Sequence, residues 1–150
     1  MKKILLTLTL VAIAAASQGC ATLGMPKTLE EKAAIAAEVG KFSTLIYHTE
    51  KERLDPNGTI AAVYSVFSQV LGETGDTSNS DLFKAALIIG IKTQIKDPAS
   101  QTLALGLVDI YWDRLAARID MTSLHGTDLV VVLKAFKTGV EEMQAVIKSP

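Results

Sequence analysis

"TDLVVVLKAFKTGVEEMQAVIK" (residues 127–148) decides the fold. Leu129, Val132, Phe136, Val140, Met143 and Ile147 recur along it at intervals of three and four. A helix of about 3.6 residues per turn lines such positions along one face, whereas a strand needs strict alternation. The pattern predicts a helix starting near Thr127 or somewhat earlier and running nearly to the last residue. An amphipathic helix cannot bury its own stripe, so it needs partners.

The chain upstream offers four. Asp97-Pro98 places a capping carboxylate before a proline, whose missing amide costs nothing at the first helical position. The helix it starts carries Ala104, Val108, Tyr111, Leu115 and Ile119 on one stripe and gives way to a turn over Met121–Gly126. Before it, Ser80 or Ser78 can cap a helix near 81–96. The middle of that helix, "AALIIGI" (residues 85–91), is apolar on all sides and reads as the central helix of a bundle. A run this short is also compatible with a buried strand. Only seven uncharged residues lie between Lys84 and Lys92, too few to cross a membrane.

"GETGDTSNS" (residues 72–80) is the clearest loop. The helix before it carries Ile60, Val63, Phe67 and Val70 and should stop near Gly72. Asp55-Pro56 offers the same cap and first-turn proline for its start. The first helix spans about residues 29–54. Thr28 and Glu31 form a capping box at its start, and Ile35, Val39, Phe42 and Ile46 mark its face. Five helices with short connections make an all-α bundle over residues 28–150. Glycines inside the helices, Gly40, Gly90 and Gly139 each four residues after an alanine and Gly106 four after Thr102, cost helix stability. They are expected to be compensated by close approach of neighbouring backbones.

Residues 1–20, "MKKILLTLTLVAIAAASQGC", differ in kind. Two lysines precede an uncharged apolar run from Ile4 to Ala16, shorter than the roughly 20 residues of a membrane span and fitting the core of a secretory signal. Small and polar residues lead to Cys20. This stretch resembles the signal of bacterial lipoproteins, with "SQGC" in the position of the lipobox. Gly19 matches that pattern; Ser17 departs from it, since leucine is usual there. The resemblance implies cleavage after Gly19, diacylglyceryl and acyl groups on Cys20, and a lipidated tether over residues 20–27. Ala21 after the cysteine implies, by the same resemblance, the outer membrane, facing the periplasm. Ordinary secretion, with Cys20 lost or left as a free thiol, is the alternative.

The chain holds one cysteine, so no internal disulfide can form. Cleavage would leave 150 − 19 = 131 residues and change the net charge from −1 to −1 − 2 = −3. That length suits one domain, and a mildly acidic chain with scattered lysines lacks the basic footprint of a nucleic-acid binder. Aromatic residues make up only 5% of the sequence, which predicts a core of leucine, isoleucine, valine and alanine.

Catalytic and metal chemistry find little to work with. Asp109, Asp113 and Asp120, with Arg114 and Arg118 alongside, read as a solvated charged face. His48 sits among charges on an exposed helix surface, and His125 falls in a turn. No Gly-x-Ser-x-Gly, phosphate loop or Glu-x-x-His spacing occurs. No cofactor is expected, and no catalytic residue is assigned.

"DIYWDR" (residues 109–114) gathers residue types enriched at binding hot spots. Trp112 at a boundary and Arg114 pointing outward form a possible partner-binding patch. The expected function is that of a non-enzymatic interaction module, anchored in the cell envelope and meeting an envelope protein. The alternatives are a carrier holding an apolar molecule between the third and fifth helices, and a phage- or plasmid-encoded lipoprotein that blocks an envelope receptor.

Overall fold

A computed structural model describes residues 24–51, 58–74 and 78–148. The signal expected over residues 1–19, and Cys20 with its expected lipid attachment, lie outside the described residues. Among the described residues there are five helices: α1 (Leu29–Lys51), α2 (Thr59–Glu73), α3 (Ser80–Gln94), α4 (Pro98–Ala116) and α5 (Gly126–Lys148). A short 3-10 turn, Met121–Ser123, precedes α5. Among the described residues there is no strand, only an isolated antiparallel bridge between Asn79 and His125. The chain is an all-α bundle.

Local chemistry explains most of the helix starts. At α1 the Thr28 hydroxyl accepts from the Glu31 amide at 3.1 Å, and the Glu31 carboxylate accepts from the amides of Thr28 and Lys27 at 3.1 and 2.8 Å. The Thr28 amide bond, then that of Lys27, holds the Glu31 carboxyl below its ordinary pKa. At α4 the Asp97 carboxylate accepts from the Ser100 amide at 2.7 Å, and Pro98 occupies the first turn. Both follow the local pattern of the sequence.

Two starts differ from expectation. α2 begins at Thr59 with Gly58 as its N-cap, in a left-handed conformation at φ 74°. Asp55 and Pro56, the expected cap and first-turn proline, lie outside the described residues. α3 is capped by Asn79, whose side-chain oxygen accepts from the Leu82 amide at 2.9 Å. Ser80 instead becomes the first helical residue, and the helix ends at Gln94 rather than residue 96. Ser78 is used through its backbone: its carbonyl accepts from the Gly126 amide at 2.9 Å, tying the start of α3 to the start of α5. Gly126 holds this corner at φ 50°, where a side chain would be strained.

α1 and α5 form the closest pair. A Cβ placed on Gly139 would fall 1.9 Å from the Ala37 carbonyl oxygen, and one on Gly40 would fall 2.4 Å from the Phe136 carbonyl oxygen. The two backbones therefore touch, and only glycine fits at either point. The contacts run in the same order along both helices: Lys32 bonds Ser123 just ahead of α5, Gly40 meets Phe136 and Val140, and Lys41 meets Glu142 at 2.7 Å. α1 and α5 thus run parallel. α2 runs against α5, with Tyr64 bonding Glu141 at one end and Leu71 and Thr74 beside Val130 at the other.

This contact overturns the expected face of α1. Its buried residues are Ala36, Gly40, Ser43, Thr44 and Tyr47, while Ile35, Val39 and Ile46 are half-buried and Phe42 is 38% exposed. A backbone-to-backbone approach demands small residues, so the bulky stripe rides at the margin. The stripes of α4 and α5 are buried over most of their length: Ala104, Val108, Tyr111, Leu115, Leu129, Val132, Phe136 and Val140 are buried, as is Ile119 just past the end of α4, while Met143 and Ile147 near the end of α5 are half-buried.

The core is also more aromatic than its composition suggests. Trp112 stacks on Phe83, Phe83 meets Phe67, Phe67 meets Phe136, and Phe136 meets Tyr111, with ring centroids 5.1–6.2 Å apart. This chain of rings leaves α4, crosses α3, α2 and α5, and returns to α4. Five of the eight aromatic residues (Trp 1, Tyr 3, Phe 4) are concentrated where four helices meet. Aliphatic residues surround them.

The glycines separate by environment. Gly90 approaches Val66 of α2, where an added Cβ would fall 2.7 Å from a methyl group. Gly106 meets nothing within 4 Å and is exposed, so the expected close approach is absent there. The two classes should respond to alanine with opposite signs. Gly139→Ala must force α1 and α5 apart and should destabilise the fold by about 3 kcal/mol or more. Gly106→Ala should stabilise it by about 0.5–1 kcal/mol through helix propensity alone. Urea unfolding followed by circular dichroism measures both.

Candidate interaction surface

The segment Asp109–Arg114 winds about one and a half turns of α4, so its residues face in all directions. Tyr111 and Trp112 point inward, at 6% and 9% exposure, while Asp109, Asp113 and Arg114 are exposed. Of the two residues nominated for partner binding, only Arg114 presents its side chain to solvent. Trp112 lies parallel to Phe83 at 6.2 Å between centroids. The Lys84 ammonium sits 6.0 Å over the indole and 3.1 Å from the Asp109 carboxylate. Trp112 therefore props α3 against α4.

Tyr111 links α4 to α1. Its hydroxyl and that of Thr44 are 2.8 Å apart, both buried. Burial raises the pKa of the phenol to about 12, with the Thr44 bond opposing that rise only in part. The deprotonated form would put an uncompensated charge in the core.

The remaining polar candidates stay at the surface. Asp120 is exposed and caps the 3-10 turn, accepting from the Thr122 hydroxyl at 2.6 Å and the Thr122 amide at 3.1 Å. These bonds, the hydroxyl first, hold its carboxyl below the ordinary value. His48 is half-buried rather than fully exposed, and His125 is exposed in its turn. Among the described residues, no three His, Cys, Asp or Glu side chains are grouped to hold a metal.

A groove of about 480 Å³ opens between α2 and α5. Ser68, Thr74, Thr138, Lys134 and Lys137 line it alongside Leu71 and Val130. Lys137 is partly engaged there: its ammonium lies 5.3 Å over the Tyr64 ring and 3.4 Å from Glu141. The bond to Tyr64 and the charge of Glu141 raise its pKa. Hydroxyls and ammonium groups share this cleft about equally with apolar surface. Where an apolar ligand was expected, between the third and fifth helices, Phe67 fills the space, touching Phe83 on one side and Phe136 on the other. The carrier reading gains no support from either place.

Among the described residues, two large exposed apolar side chains share one face of α3. Leu82 is 58% and Ile89 64% exposed, and the exposed Ala85 and Ala86 lie between them. α3 packs through Phe83, Leu87 and Ile91, leaving this opposite face open. The expectation that it would be central is thus corrected: α3 is an edge helix that is apolar on both sides. Its sequence carried the signal, but periodicity does not reveal what covers a face.

Comparison with protein-family models, curated proteins and solved structures returns no match.

The buried phenol supplies a test by pH. A folded pKa of about 12 exceeds the ordinary value near 10, so the contribution of Tyr111 is complete below about pH 10 and is lost as pH rises toward 12. Wild-type stability should fall more steeply across that interval than that of Tyr111→Phe. The excess loss should be on the order of 2 kcal/mol by urea titration. Parallel curves would show that the phenol is not desolvated.

Proposed function

We propose that this chain is a small lipoprotein of the bacterial envelope that acts as a non-enzymatic interaction module. The observation that carries this reading is the succession of Lys2-Lys3, the apolar run Ile4–Ala16 and Ser17-Gln18-Gly19-Cys20 ahead of a helical bundle. Among the described residues no helix is long and apolar enough to cross a membrane. In this reading the acyl groups on Cys20 supply the attachment, and two or more chains are enough for stable anchoring.

The capping box at Thr28 gives the tether a definite end. Residues 21–27 separate Cys20 from the bundle, a reach of at most about 25 Å. So short a tether confines the bundle to a thin layer next to the lipid and raises its effective concentration toward any partner in that layer. The outer membrane, facing the periplasm, is the proposed location.

Labelled palmitate should enter the wild-type protein and not Cys20→Ala; equal labelling of both, or none of either, contradicts the lipoprotein reading. For the partner, crosslinking in the native envelope should recover an attached protein. Arg114→Glu should reduce that recovery while the helical circular dichroism is unchanged. Arg114 is a better probe than Trp112, because changing Trp112 also removes its stack on Phe83.

A further inference from the structure

α3 presents an apolar face that nothing else in the described bundle covers. Leu82 and Ile89 stand seven residues apart on it, close to two helical turns, with Ala85 and Ala86 at the midpoint. Large residues at the ends and small ones in the centre describe a surface that fits its own reverse. Set antiparallel against an identical helix, Leu82 meets Ile89 of the other copy, and the alanines let the two backbones approach at the middle.

The flanking charges obey the same symmetry. Asp81 and Lys92 are both exposed and lie eleven residues apart, about three helical turns, so they share one edge of the stripe at opposite ends. A two-fold axis perpendicular to the plane of the two helices keeps each edge against the same edge and reverses its direction. Each Asp81 then faces Lys92 of the other copy, and the pair is made twice. A parallel arrangement would instead set each edge against the opposite edge of the partner, and the Asp81–Lys92 pair would not form. Lys84, on the side toward α4, stays with Asp109 at 3.1 Å and takes no part.

We infer that α3 pairs with α3 of a second copy of this chain, antiparallel about a two-fold axis between Ala85 and Ala86. The contact is isologous, so it closes as a dimer and does not propagate. One helix face is smaller than a standard interface, so the dimer is weak in solution, with a Kd on the order of 100 μM. The pairing stands on the α3 surface alone and is independent of whether Cys20 is acylated.

Sedimentation equilibrium of the full chain carrying Cys20→Ala, at about 10–500 μM, tests it. A monomer–dimer equilibrium is expected. Ile89→Lys should leave the helical circular dichroism unchanged, since that side chain is already exposed, and should weaken dimerisation about tenfold or more. Asp81→Lys alone should also weaken it about tenfold, and Asp81→Lys with Lys92→Asp should return it to within about threefold of wild type. A chain that stays monomeric throughout the range overturns the inference. So does association that Ile89→Lys leaves unchanged, which would place the contact elsewhere. A double charge reversal no tighter than the single one would overturn the antiparallel register.

Discussion

The bundle depends on one backbone contact. Where α1 and α5 cross, Gly139 lies so near the Ala37 carbonyl and Gly40 so near that of Phe136 that no Cβ fits at either point. Two helices this close interlock over only a narrow strip, so α1 must turn its small residues, Ala36, Gly40, Ser43 and Thr44, toward α5. That choice sets the rest. With α1 occupying one side of α5, the ring of Phe136 points to the other, where Phe67 and Tyr111 meet it. Tyr111 reaches back to Thr44 and closes the triangle of α1, α4 and α5.

The consequence for function is the position of α3. The aromatic chain gathers α2, α4 and α5 around Phe67 and Phe136, and α3 joins it only through Phe83. Gly90 against Val66 and the Lys84–Asp109 pair fix the edges of α3 to α2 and α4. A helix held on one face in this way exposes the other. Leu82 and Ile89 are therefore on the surface because α1, not α3, occupies the place beside α5.

The sequence carries the fold unevenly, for physical reasons. Caps such as Thr28–Glu31 and Asp97–Ser100 are legible because they join residues three apart. The faces of α4 and α5 are legible because they pack through large side chains with helical spacing. The face of α1 is not, since periodicity weights bulk and this helix docks through its smallest residues. Asn79 lay between two serines that could cap equally well, and only the path of the chain toward Gly126 separates them. At the surface, Arg114 is legible as an outward residue. The burial of its neighbour Trp112 depends on Phe83, 29 residues upstream, which no local pattern reveals.

Native-state hydrogen exchange tests the dominance of the α1–α5 contact most directly, because it resolves the opening free energy of each helix. The amides of Val39–Ser43 and Phe136–Val140 should exchange through one shared opening, equal in free energy to global unfolding, while those of α3 open earlier. Exchange of the α1 amides through an opening of lower free energy than that of α5 would contradict the claim that this contact holds the bundle together.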